Sequence, residues 1–182
     1  MLSRLIDAVT AAPETDKSRV AIYGGSFGGY WSTMLAATER DRVKAVVAQS
    51  PPIHETFSAE ALERAMSNKE YLFDYIPAYL SVYAEVETLD DLRAARAKAS
   101  LQAQGILARP MAPMLVIGAS TTRRCRSPTS TCCCTAARRR KRPGSTPPAA
   151  IWGRESRGWT DPVIFKRVTM PWLLRALEVR AE

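Results

Sequence analysis

Gly24-Gly25-Ser26-Phe27-Gly28-Gly29-Tyr30 sets a serine among glycines, directly after an apolar run, Val20-Ala21-Ile22-Tyr23, and directly before a helix-like segment, Trp31 to Thr38. A strand, a sharp turn and a helix in that order place a hydroxyl at the tip of the turn, where it can act as a nucleophile. Ser26 is therefore the candidate nucleophile. The next N–H, that of Phe27, falls at a helix N-terminus and is aimed at the oxygen of a carbonyl under attack. On this reading Gly24 and Gly28 must be glycines, because a Cβ at either would collide with the adjoining strand or helix. Two other meanings compete. A phosphate-cradling loop would be followed by a Lys-Ser/Thr pair, which is absent here, and a tight turn without chemistry accounts for the glycines alone.

Positioning such a serine takes a sheet. Leu2, Leu5, Ile6 and Val9 recur at helical spacing, so Leu2 to Ala11 reads as an amphipathic helix ended by Pro13. Asp16 and Ser18 turn the chain into a strand, Arg19 to Tyr23, apolar enough to be buried in a parallel sheet. After the elbow and its helix, Arg40-Asp41-Arg42 makes a charged turn into a second apolar run, Val43 to Ala48. Strand, elbow, helix and strand form one βαβ unit, and the fold class is α/β. In such a sheet ligands bind beyond the carboxyl ends of the strands, where Ser26 and the loop Gln49-Ser50-Pro51-Pro52 both fall. From about Ser58 to Gln104 helical periodicity replaces strand signals, and a further strand is expected at Met114 to Ile117.

At the elbow residues the chain resembles the α/β-hydrolase superfamily. The doubled glycines and Tyr30 are similar to its prolyl-oligopeptidase-related branch, while Ser100 to Leu107 resembles a segment of the esterase FrsA-like hydrolases that precedes a strand. The resemblance implies an incomplete α/β-hydrolase fold in one partial domain, with residues 58–104 as a helical cap insert. It implies hydrolysis of an ester or similar activated carbonyl compound through an acyl-enzyme on Ser26, with no metal or organic cofactor. Family members carry several strands ahead of the elbow strand, where this chain has one helix. Tyr71, Phe73, Tyr75, Tyr79 and Tyr83 could line an aromatic substrate pocket, Tyr75 and Tyr79 foremost, or could pack the cap on the core. The family order is serine, acid, histidine. His54, the only histidine, lies on the wrong loop to be the base, and is assigned to the pocket or to capping Glu55 to Ala59.

With 182 residues and 46% apolar content the chain can bury a core, but its net charge of +8 has a local source. Between Ser120 and Ala150 there are eight basic residues and no acidic one; without those eight, the remaining basic residues match the 18 acidic ones. Basicity therefore belongs to one segment, which also holds all four cysteines, Cys125 and Cys132-Cys133-Cys134. A disulfide framework is not expected. Met1 to Ala12 carries Arg4 and Asp7 and does not make a signal-peptide core, no run approaches the roughly 20 apolar residues of a membrane span, and a cytoplasmic location follows as the default. The expected partner is a small-molecule carbonyl substrate, without membrane. Nucleic acid is disfavoured, and the oligomeric state is open.

The segment 120–150 departs from the family, which would place its acid loop, a helix, a strand and the histidine there. Three readings stand: a basic tether for nucleic acid, a thiolate metal site, or translation out of frame. Three adjacent cysteines lack the spacers of zinc sites, and the basic run lacks the interleaved aromatics that bind single strands. Any two adjacent cysteine codons, read from the third base of the first, encode Leu. Continued over Thr121 to Thr135, that frame permits an acidic loop and an apolar helix; over Ser145 to Trp152 it permits a Gly-Gly-His. Both missing triad members thus reappear in one frame. From Gly153 family-like text resumes, with Asp161 a helix N-cap candidate and Val163 to Leu177 a terminal helix interrupted by Pro171.

Overall fold

The computed structural model of the chain describes residues 2–67, 77, 80–81, 86–118 and 160–179. They fall into two compact units, one of residues 1–51 with 109–182 and one of residues 52–108. The helical insert expected over 58–104 lies within the second unit, and its aromatic candidates, Tyr71, Phe73, Tyr75, Tyr79 and Tyr83, lie outside the described residues, as does the segment 120–150.

In the first unit three strands run parallel: β1 (Ala21–Gly25), β2 (Ala45–Gln49) and β3 (Met114–Ile117), in the order β1-β2-β3. The register sets Ala21 opposite Ala45 and Gly25 opposite Gln49, and then Val46 opposite Met114 and Gln49 opposite Ile117. Every residue of the central β2 is buried, which is why Ala45 to Ala48 is a continuous apolar run rather than an alternating one. Helices α1 (Leu2–Ala11) and α2 (Phe27–Thr38) supply Ile6, Leu35 and Ala36 to a core that also contains Val43, Val46 and Ala112, with Ile22 and Met114 packed against it. Since side chains alternate along a strand, Tyr23 and Gln49 project from the opposite face, and there the terminal helix packs. Tyr23 meets Phe165 edge-on at 5.7 Å.

Several boundaries differ from the sequence expectation: β2 runs Ala45–Gln49 rather than Val43 to Ala48, and the ends of β1 and the start of α2 shift as well. The first strand begins at Ala21 rather than Arg19, because Asp16 accepts hydrogen bonds from the Ser18 N–H and hydroxyl and draws Lys17–Arg19 into a 3-10 turn. Helix α2 starts at Phe27, immediately after Ser26, rather than at Trp31. The early start puts Ser26 at the helix N-cap, with no residue between strand end and helix start but the serine itself.

The terminal helix is α-helical only at its ends, Asp161–Ile164 and Met170–Ala176, and Phe165–Thr169 between them is a π turn. Pro171 explains the interruption, since it has no N–H for the carbonyl four residues earlier and its ring crowds that carbonyl; a wider turn relieves both. The N-cap of this helix is Thr160, not Asp161 as expected; Asp161 is the first helical residue, and its carboxylate is engaged across the sheet. At the other end Glu178 takes φ 56° and the helix closes with Val179 N–H donating to Leu174 O and Glu178 N–H to Arg175 O.

The second unit holds helices Ala59–Ser67 and Leu89–Lys98, whose Leu62 and Leu92 are fully buried together. Thr88 caps the second of these in a reciprocal pair with Asp91.

Candidate active site

Ser26 adopts φ 52°, ψ −121°, one of three non-glycine residues with positive φ among the described residues. A left-handed backbone at an L-residue costs about 1 to 3 kcal/mol and persists only where its surroundings hold it. Its N–H donates to Gln49 O at 2.8 Å, tying the elbow to the end of the neighbouring strand, and its carbonyl accepts from Tyr30 N–H at 3.1 Å, which starts α2. The side chain makes no capping hydrogen bond to the helix it precedes and is half-buried. A serine is a favoured N-cap because its hydroxyl usually satisfies a first-turn N–H. Here the hydroxyl is not spent in that way, and the Phe27 amide lies in the first turn, at the positive end of the helix dipole.

The glycines divide differently from the sequence reading. A Cβ on Gly24 would run into the carbonyl of Gly28 and the Ser32 hydroxyl, so the strand-side requirement stands. A Cβ on Gly28 would meet nothing within 4 Å, which corrects the clash expected there. The tight position is the next residue: a Cβ on Gly29 would lie 3.2 Å from Gln49 O, Gly24 O and Pro51 Cβ. The helix crosses the strand ends one residue further on than the motif suggests, because α2 begins at Phe27 and Gly29 turns toward the sheet.

Around the elbow the polar groups form one chain. The Tyr23 hydroxyl donates to Gln49 Oε1 at 2.9 Å, and Gln49 Nε2 donates to Asp161 Oδ1, also at 2.9 Å. Burial and then the nearby Asp161 carboxylate push the Tyr23 phenol above its ordinary value of 10.0, keeping it a donor. Gln49 was expected beside Ser26 at the strand ends, but its partner Asp161 is far along the chain and no local pattern links the two. Within α2, the Ser32 and Thr33 hydroxyls donate to Gly28 O and Gly29 O at 2.8 Å, so these polar side chains are satisfied although buried.

His54, in the second unit, is exposed. It stands at the N-cap of the 3-10 turn Glu55–Phe57 but makes no side-chain capping bond, contrary to the expected capping role. Its Nδ1 is instead 2.7 Å from the buried Ser100 hydroxyl, which also accepts from Ala103 N–H. Among the described residues no group of three or more His, Cys, Asp or Glu side chains could hold a metal ion, and no helix is long and apolar enough to cross a membrane.

A parallel sheet covered by helices, with a serine held left-handed between a strand and the helix that follows, is the α/β-hydrolase arrangement. Within that class, residues 1–135 match the family model described as esterase FrsA-like, and the chain belongs to this family. The match runs past Ala119, where the sequence reading put the break, and does not take in 153–182, where it put a resumption. Among solved structures the chain is similar to an acetyl xylan esterase from Paenibacillus sp. R4, at 24% identity and a TM-score of 0.41, covering 62% of this chain. It is similar also to FphF, a fluorophosphonate-binding serine hydrolase of Staphylococcus aureus in a substrate-bound structure, at 19% identity and a TM-score of 0.35, covering 64% of this chain. It spans 34% and 42% of the lengths of those two chains. No curated protein matches the sequence.

Proposed function

We propose that the chain carries the nucleophile of a serine esterase, acting on a small-molecule ester or similar activated carbonyl compound through an acyl-enzyme on Ser26. The observation that carries the reading is the backbone of Ser26, left-handed at a strand–helix junction with its hydroxyl not used as a cap. In the reaction a base would take the Oγ proton while Oγ bonds to the carbonyl carbon; the alcohol then leaves with a proton, and water releases the acid by the same path. The Phe27 N–H would stabilise the oxyanion, a contribution worth about 10² to 10³ in rate where a single donor of this kind is removed. No cofactor enters this scheme, and a cytoplasmic location belongs to the same reading.

The chain as written is proposed to be a poor catalyst, because a serine without a base is a weak nucleophile at neutral pH and the one histidine is on the wrong loop for the family order. The acid and base would come from the alternative frame between Ser120 and Trp152. The test is p-nitrophenyl ester cleavage by two proteins: the chain as written, and a version with that frame restored. The first should stay at background. The repaired protein should turn over, and Ser26→Ala should abolish it. Robust turnover by the unrepaired chain, lost on His54→Ala, would show that the base has been misassigned.

A further inference from the structure

We infer that Gln49 and Asp161 are positioning residues that hold Ser26 in its left-handed conformation, so that the terminal helix fixes the geometry of the elbow. Three groups of Gln49 face three different elements. Its carbonyl accepts from Ser26 N–H at 2.8 Å, its Oε1 accepts from the Tyr23 hydroxyl at 2.9 Å, and its Nε2 donates to Asp161 Oδ1 at 2.9 Å. The same carbonyl sits 3.2 Å from where a Cβ on Gly29 would be, so α2 is packed down onto it. Gln49 is the last residue of β2, paired with Gly25 on one side and Ile117 on the other, and is 8% exposed. A strand end ordinarily frays; this one is pinned on both sides and through its side chain.

The clamp works by constraint. A left-handed serine relaxes unless the groups bonded to it are themselves immobile. The carboxamide of Gln49 has a donor and an acceptor side, and Tyr23 and Asp161 satisfy them with opposite polarity, which fixes the amide's orientation and with it the rotation of the strand end. Asp161 is able to do this because Thr160, not Asp161, is the helix cap, leaving the carboxylate for the sheet. The functional meaning of the clamp rests on the reading of Ser26 as nucleophile, but the clamp itself does not.

The experiment is amide hydrogen exchange by NMR on the chain as it stands, comparing Ser26 with Lys44 and Val46, whose N–H groups bond to Val20 O and Pro113 O at the far end of the sheet. Asp161→Ala should speed exchange at Ser26 at least tenfold with little change at Lys44 and Val46. Asp161→Asn, which keeps an acceptor for Gln49 Nε2, should restore Ser26 to within about twofold. Gln49→Ala provides the same comparison should Asp161→Ala fail to fold. The phenol of Tyr23, isolated by difference from Tyr23→Phe, should titrate lower in Asp161→Asn than in the parent, since the charge is gone while the hydrogen bond remains. An equal acceleration at all three amides, no acceleration at Ser26, or an Asn variant that behaves like the Ala variant would overturn the clamp. Loss of the ester-hydrolase reading would show separately, as a repaired protein indifferent to Ser26→Ala.

Discussion

Gly24 and Gly28 flank the same serine symmetrically, yet their surroundings are opposite. Gly24 lies against main chain, where atoms cannot swing aside, and Gly28 faces open space. Gly24→Ala should therefore destabilise by about 3 kcal/mol or more, the upper range for overpacking, and Gly28→Ala by less than about 0.5 kcal/mol. Urea unfolding of the two variants checks this, and equal losses would show that the motif's symmetry, not the packing, sets the requirement. The motif told us that a serine stands at an elbow because glycine and serine types at that spacing have few other uses after an apolar run. It could not tell which glycine touches the sheet, since that depends on where α2 starts. Gln49 could be placed beside Ser26 but its role could not be read, since a polar residue ending a strand looks like any loop entry and its partner Asp161 belongs to a helix far along the chain.

Among elements, the apolar runs identified the three strands of the described residues, and the late start of β1 traces to local hydrogen bonding. Asp16 is the clearest case. The Ser18 side chain, then Arg19, then the Ser18 amide hold its carboxyl down from 3.8 to about 2. A depressed carboxyl contributes stability above its unfolded value, and that contribution is lost as pH falls from about 4 toward 2. Asp16→Asn should flatten the acid limb of the stability curve in that window and leave the neutral plateau shape unchanged, as read by thermal unfolding across pH. At the C-terminal end, Glu178 occupies the left-handed position that closes a helix, where glycine is the usual occupant. Its exposed ion pair with Lys44 at 3.2 Å offsets little of that strain. Glu178→Gly should stabilise by about 1 kcal/mol, measured by denaturant midpoint.

Among the described residues each of the two compact units has buried apolar residues of its own. Val46 belongs to those of the first unit, with Ile6 and Leu35; Leu92 and Leu62 belong to those of the second. Composition predicted enough apolar content for a core but could not divide it, because periodicity reports which face of an element is buried and not against what. Leu92→Ala should cost about 2 to 5 kcal/mol and speed hydrogen exchange within 52–108, while exchange of the β2 amides changes little. Parallel acceleration in both units would show a single cooperative structure.

The π turn at Phe165–Thr169 changes how many residues the terminal helix uses over its length. A π turn holds one residue more than the α turn it replaces, so this helix carries a surplus residue between Asp161, which reaches the sheet, and Leu174, which closes the C-terminal end. A chain shortened by one at the exposed Lys166 could keep both ends of the helix in their present places, with the strain passed to Pro171 alone. Length variation by a single residue is thus absorbed inside this helix, and neither the sheet nor the serine would register it.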